Sequence, residues 1–265
     1  MSYDHKGYVL YDGPSLLDGQ PDSKQRAPIV VIITFHSTNE ATGDMPQVWY
    51  LLRDVAPTEA LRNNLDVAIC GHCPLSNSPA NRAKGGGGCY VATLLVNQVW
   101  HAYKRGLYPS NPTTLQLRRG ISGRPVRLGA YGDPTCAPIS IARKLVRLGG
   151  NDNTGYTHQW ETCNPSWRRL LMASVENVEQ ATRAKSAGWR TFRVMGTDNT
   201  LTKGEILCPK DKSFGDKVRQ CIDCRACDGF NRPGQVSIAI NHHSSVPMKR
   251  IGMASLDRFT LPVLQ

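Results

Sequence analysis

The chain has 265 residues, with 32 Lys plus Arg against 21 Asp plus Glu and a formal charge of +11. That length buries a core without disulfide or metal staples and excludes disorder over most of the chain, while the charge points to a basic partner-binding face. The longest apolar run, Ala27 to Phe35, is about half of the roughly 18 to 20 residues that a bilayer crossing needs, so no membrane segment is expected.

Met1 to Gly7 shows neither the basic n-region nor the apolar h-region of a signal peptide, and a cytoplasmic location is the expectation. Gly13-Pro14, the polar stretch Asp18 to Arg26, the apolar run around Ile29 to Ile33 and Gln47 to Leu52 predict a small strand-rich cap over 1–60. Beyond it, over 61–265, short apolar strands end in polar or Gly-rich turns and lead into helix-length segments. The expected strands are Asp66 to Ile69, Val126 to Tyr131, Leu170 to Val175, Arg190 to Val194 and Val236 to Ile240, with Gly155 to His158 between the second and third. The expected helices are Val91 to Arg105, Ile139 to Leu148 and Val178 to Ala187. This alternation predicts an α/β fold with a parallel sheet, read as a (β/α) barrel-like domain, closed or partial, with an open doubly wound sheet as the alternative.

In either architecture the strand ends share one face, where active sites are built. Asp133 follows a strand and precedes Pro134, so its carboxylate is a candidate nucleophile or base, with a helix cap as the alternative. His158 and Glu176 are candidate acid/base groups, and Ser174, Tyr131 and Arg127 candidate substrate contacts. His242 and His243 are adjacent, so at most one faces a strand-end mouth.

The nine cysteines are clustered. Cys70, Cys73 and Cys89 form C-x2-C-x15-C, which leaves a bound metal an open, catalytic position unless His72 or Cys136 closes it. Cys208, Cys221, Cys224 and Cys227 form C-x12-C-x2-C-x2-C, a four-thiol set within a metal-binding segment over 204–232 that suits zinc or a [4Fe-4S] cluster. Cys136 and Cys163 stand apart and read as packed thiols. Basic residues including Arg82, Lys84, Arg118, Arg119 and Arg124, interleaved with Tyr90, Tyr131, Tyr156, Trp160 and Trp167, make nucleic acid the expected partner.

Several segments carry a resemblance: Ile69-Cys70-Gly71-His72-Cys73-Pro74, Gly87-Gly88-Cys89-Tyr90-Val91, Val126 to Pro134, Gly155 to Trp160, Met172 to Glu176 and Gly188 to Arg193. Over roughly residues 45 to 245 the chain resembles the phage and plasmid "gene product 88" family of uncharacterised proteins, which implies a host cytoplasm. Parts of the architecture resemble the tRNA-guanine transglycosylase superfamily with its phage DpdA enzymes, barrels with a cysteine-rich zinc site and a catalytic aspartate. That resemblance implies exchange of guanine for a 7-deazaguanine in DNA, with DNA favoured over RNA, a small deazapurine as second substrate and Asp133 as nucleophile. The C-terminal cluster departs from that pattern, with a fourth cysteine in place of a distant histidine.

The cysteine trio is also similar to that of radical S-adenosylmethionine enzymes, partial barrels with three cysteines after the first strand. There Gly132-Asp133-Pro134 stands where a Gly-Glu-Pro turn holds the methionine amino group, although the usual spacing is C-x3-C-x2-C. S-adenosylmethionine is implied under this alternative alone. The leading expectation is therefore a base-modifying, transglycosylase-like transferase. The alternatives are an iron–sulfur radical enzyme and a metal-stabilised nucleic-acid-binding protein without catalysis.

Overall fold

A computed structural model of the chain describes residues 5–17, 26–195, 200–229 and 236–241. The buried run Ile29 to Ile33 explains the first sheet: a strand apolar at every position must be covered on both faces, so it belongs in a sheet interior. It lies in β2 (Pro28–Thr34), which pairs antiparallel with β1 (Gly7–Pro14) on one side and β3 (Gln47–Leu52) on the other. Five helices follow: α1 (Pro57–Arg62), α2 (Val67–Cys70), α3 (Pro79–Ala83), α4 (Thr93–Lys104) and α5 (Thr114–Ile121). A reciprocal capping box between Thr113 and Gln116 starts α5.

The remainder alternates: β4 (Val126–Tyr131), α6 (Ile139–Leu148), β5 (Asn153–Thr154), β6 (Tyr156–Thr157), β7 (Met172–Val175), α7 (Val178–Ser186), β8 (Thr191–Met195), β9 (Glu205–Leu207), α8 (Cys221–Cys224) and β10 (Ser237–Asn241). From β3 onward every ladder is parallel, β3 with β4, β4 with β5, β6 with β7, β7 with β8, β8 with β10 and β10 with β9. The result is two five-stranded sheets, ordered β1-β2-β3-β4-β5 and β6-β7-β8-β10-β9. They share one stretch of chain, because only Gly155 separates β5 from β6. A Cβ at Gly155 would stand 2.4 Å from Leu171 Cδ2, so the join has room for glycine alone.

The α/β class and parallel order match the reading of the sequence, and no closed barrel is shown among the described residues. Sheet order begins at β1 and ends at β9, with no ladder joining those edges among the described residues. The segment 1–60 supplies three strands to the sheet that holds β4, and its apolar side chains join the main core. The strand expected over Asp66 to Ile69 is helix α2 instead: a four-residue apolar run has no readable period, and here Ala68 and Ile69 turn inward until Gly71, at φ 56°, stops the helix. His242 and His243 lie outside the described residues. No helix among the described residues is long and apolar enough to cross a membrane.

One buried ion pair ties β8 to β9. Arg193 donates Nε to Glu205 Oε1 at 3.0 Å and Nη2 to Glu205 Oε2 at 2.7 Å, a fork-to-fork arrangement with both side chains almost wholly enclosed. Burial favours a protonated Glu205, but the hydrogen bonds from Arg193 and Thr202 outweigh it and hold its pKa below the usual carboxylate value. A folded pKa below the unfolded one means stability present above the unfolded value and lost as pH falls through the folded one. Arg193→Met should therefore destabilise by about 3–5 kcal/mol in urea unfolding at neutral pH. Arg193→Met/Glu205→Leu should cost less than the single variant and lose the acid dependence of this pair; equal costs would contradict the assignment.

Candidate functional site

Because successive side chains of a strand alternate between faces, one face of the parallel ladder is read at every second residue. Gln47 and Trp49 of β3, Arg127, Gly129 and Tyr131 of β4, Tyr156 of β6, Ser174 of β7, Phe192 and Val194 of β8, and Ile238 and Ile240 of β10 all line one cavity of about 1970 Å³. Both cysteine sets open on it: Cys70, Cys73 and Cys89, and Cys208, Cys221, Cys224 and Cys227.

The N-terminal trio sits on a loop that side-chain amides hold in shape. Asn81 donates to the Pro74 carbonyl at 2.8 Å and the Ser76 carbonyl at 2.6 Å. Asn77 accepts from the Gly88 N–H at 2.8 Å and donates to the Cys89 carbonyl at 3.3 Å. Gly87 and Gly88 have φ of 117° and 98°, a region closed to side-chain-bearing residues without strain, so the glycine run is what lets the loop return Cys89 to the cavity. Cys70 is seated by the strand ends: the Asp133 N–H donates to the Ile69 carbonyl and the Gln159 amide to the Cys70 carbonyl. Gly71 is pinned beside it, where a Cβ would collide with the Gln159 amide. Burial raises the Cys70 and Cys89 thiols, Cys89 to about 11, and the neighbouring thiols add to the effect.

Two of the expected polar groups pair at the same mouth. His158 Nε2 lies 2.8 Å from Glu176 Oε1, and Cys73 is near enough to act on the charge of the ring. Burial opposes a charged imidazole, yet Cys73 and Glu176 outweigh it and lift the His158 pKa well above its usual value. His158 and Glu176 thus form a largely enclosed pair beside the Cys73 thiol, the three residue types that thiol nucleophilic catalysis uses. Reading Cys73 as a metal ligand alone missed this, and no spacing in the sequence signals it.

Asp133 has a different part. Its Oδ1 accepts from the Thr135 N–H at 3.0 Å, the Thr135 hydroxyl at 2.7 Å and the Thr157 hydroxyl at 3.0 Å. Its Oδ2 accepts from the Thr157 hydroxyl at 2.9 Å and the His158 N–H at 3.0 Å. Burial raises its pKa against these hydrogen bonds. The carboxylate expected to attack a substrate is occupied in capping the turn at Pro134 and in fixing the backbone at His158, the helix-cap alternative.

The four-thiol set is clamped from beneath by Arg190. Its guanidinium donates to the Ala226 carbonyl at 2.7 Å, to Asp228 Oδ1 at 3.1 Å and to the Val236 carbonyl at 3.0 Å. Arg190 and Asp228 are both buried. Helix α8 docks through the Cys221 N–H on the Ala41 carbonyl and the Ile222 N–H on the Thr42 carbonyl, and Arg225 at φ 54° ends it while pairing with Asp152 at 2.8 Å. Cys208 follows β9, and Cys227 packs in a small core cluster with Met172 and Ile238. Burial raises Cys208 to about 11, with Cys221 and Cys224 adding to it, while the Lys210 N–H facing the sulfur pulls the other way.

Thiolates of this kind suit zinc or an iron–sulfur cluster in donor chemistry. Among the described residues, however, no group of three or more His, Cys, Asp or Glu side chains is arranged to hold a metal ion, and all nine cysteines are free thiols. The thiols share a compartment, and within each set they are near enough to act on one another's charge. Cys136 is packed in the core, as its isolation suggested.

Of the other expected contacts, Ser174, Tyr131 and Arg127 face the cavity. Trp160 and Trp167 are buried in the core, where no base can stack on them. Arg124 is consumed by Asp44 at 2.6 Å and by the Gly120 and Ile121 carbonyls. Tyr90 is exposed, and Tyr156 packs on Phe192 at 4.5 Å between ring centres. No protein-family model, curated protein or solved structure matches the chain.

The brace assigned to Asp133 predicts that Asp133→Ala, which strands the Thr135 and Thr157 hydroxyls and the His158 N–H, lowers unfolding stability by about 2–4 kcal/mol. Asp133→Asn, which keeps an acceptor, should cost less than half of that; two equal losses would contradict a hydrogen-bonding role.

Proposed function

We propose that the chain is an enzyme whose active site is the cavity between the two thiol sets, that metal is bound at one or both sets, and that the substrate is a nucleic-acid base. The observation that supports this most strongly is convergence: thiols far apart in the sequence, on separately braced segments, open on one cavity, Cys227 beside the starts of β6 and β7 and the trio beside the C-terminal ends of β4 and β6. Parallel α/β sheets place their ligands at such ends. Cys70, Cys73 and Cys89 would hold an iron–sulfur cluster with one position left open, and Cys208, Cys221, Cys224 and Cys227 a second cluster or a zinc ion. A cluster at the trio would supply one-electron chemistry. The protein's own part is to hold the trio on the Asn77 and Asn81 brace, to keep His158 and Glu176 at its side, and to line the space between the sets with Tyr156, Ser174 and Arg127. The occupied carboxylate of Asp133 weighs against aspartate-based base exchange and toward the S-adenosylmethionine-type alternative. The net charge supports a nucleic-acid substrate through phosphate contacts.

A second reading has its own observation. The Cys73, His158 and Glu176 arrangement would serve thiol nucleophilic catalysis without any metal.

Anaerobic purification followed by metal analysis separates the two. The proposal expects bound iron that falls in Cys70→Ser, Cys73→Ser and Cys89→Ser, while the C-terminal Cys→Ser variants lose a distinct pool of metal. Wild-type protein that is folded, metal-free and alkylated at Cys73 far faster than at Cys70 or Cys89, with the preference lost in Glu176→Gln, would replace the metal reading by the nucleophile reading. Nucleoside mass spectrometry of DNA and RNA incubated with the enzyme tests the substrate class, and an unchanged base composition with S-adenosylmethionine and reductant present would contradict it.

A further inference from the structure

Arg190 and Arg193 are buried and neutralised in place, while Arg127 is half-buried. Arg190 pairs with Asp228 and Arg193 with Glu205. Arg127 differs. It stands on the cavity face of β4, and among the described residues no carboxylate pairs with it. Its side-chain hydrogen bond is a long 3.4 Å contact from Nη1 to Gln47 Oε1. The groups that act on its charge are the Tyr156 phenol and the thiols Cys221 and Cys89, one from each set, and Arg127 lines the cavity on which both sets open. Desolvation works against its charged form, but a guanidinium does not give up its proton in proteins. A half-buried cation facing a cavity is a ready partner for an opposite charge.

Among the described residues the carboxylates that line the cavity are Asp133, Asp211 and the exposed Glu40, and none of them pairs with Arg127. Asp133 is spent on Thr135, Thr157 and His158, and Asp211 accepts from the Ser213 N–H, the Asn241 N–H and the Asn241 amide. Lys210 and Arg219 line the same space and add positive charge. At about 1970 Å³ the cavity exceeds the roughly 300–1,000 Å³ of ordinary small-ligand pockets, room enough for a nucleotide. The Tyr156 and Phe192 rings beside Arg127 offer a surface for a planar group.

We infer that Arg127 is the anion-binding group of this cavity, holding a phosphate or carboxylate of the bound ligand through its guanidinium fork while an aromatic part of the ligand lies toward Tyr156 and Phe192. This rests on the cavity being the ligand site, as proposed above, and it goes further by naming the charge the ligand must bring. It does not depend on metal being present.

Calorimetric titration of the full chain with guanosine monophosphate, S-adenosylmethionine and guanosine tests it, the first two carrying a phosphate and a carboxylate and the third neither. Wild type should bind at least one of the two oxyanion-bearing probes, called anionic for that group alone, more tightly than guanosine, and which one identifies the oxyanion. Arg127→Met should weaken that probe about ten- to a hundredfold and leave guanosine unchanged, as expected for loss of a charge-assisted contact. Arg127→Lys should fall between. Should Arg127→Met not fold, competition by inorganic phosphate against the same probe on wild type reads the site instead. The inference is overturned if wild type binds no anionic probe better than guanosine, if inorganic phosphate does not compete, or if Arg127→Met binds the anionic probe as wild type does. It is also overturned if Arg127→Met lowers metal content while anion affinity stays constant, which would make Arg127 the counter-charge of the thiolates. Metal-free wild type that still loses anion binding on Arg127→Met would sink the metal proposal and leave this inference standing.

Discussion

The structure depends on one stretch of five residues, Asn153 to Thr157, that serves two sheets at once. Its first half pairs with β4 and its second with β7, and Gly155 between them has no space for a side chain against Leu171 and Leu128. The same glycine donates its N–H to the Cys227 carbonyl, so the point that joins the sheets also receives the C-terminal thiol loop. With every strand from β3 onward parallel, the strand ends gather on one side, and the residues that follow β4 and β6 meet the loop that carries Cys70. The cavity is a consequence of that topology.

What makes the cavity chemically unusual is how its thiols are held. Neither set lies in regular structure long enough to fix it, and each relies on side chains from elsewhere. Asn77 and Asn81 replace missing backbone partners in the trio's loop, while Arg190 collects carbonyls from the C-terminal loop and from Val236 ahead of β10. A guanidinium with its donors directed at backbone carbonyls and a carboxylate can order a loop that has almost no apolar core. The satellite cluster of Met172, Cys227 and Ile238 is correspondingly small.

Much of this was legible in the sequence, and the unread parts share a physical cause. The alternation from Val126 to Ile240 carried its own strand and helix periods, and α6, α7 and β8 fall within a residue or two of where those periods place them. Helix α5 stands outside that alternation, and its signal in the sequence is the capping box of Thr113 and Gln116 that starts it. The apolar run at Asp66 was too short to tell strand from helix. Side-chain direction was the deeper limit. Asp133 was placed correctly at a strand end, but nothing in its neighbours' identities reveals that Thr135 and Thr157 turn inward to occupy it. The meeting of His158 and Glu176, like the contact of Arg127 with Gln47, arises from pairings between distant segments, which spacing along a chain does not encode.

The central claim is spatial: the thiols of residues 70–89 and those of residues 208–227 share one compartment. Treatment of the native, reduced protein with a short bifunctional maleimide, followed by peptide mapping, tests it directly. The account predicts cross-links joining Cys89 or Cys73 to Cys221 or Cys208. Cross-links confined within each set, with none between them under conditions where both sets are modified, would contradict it.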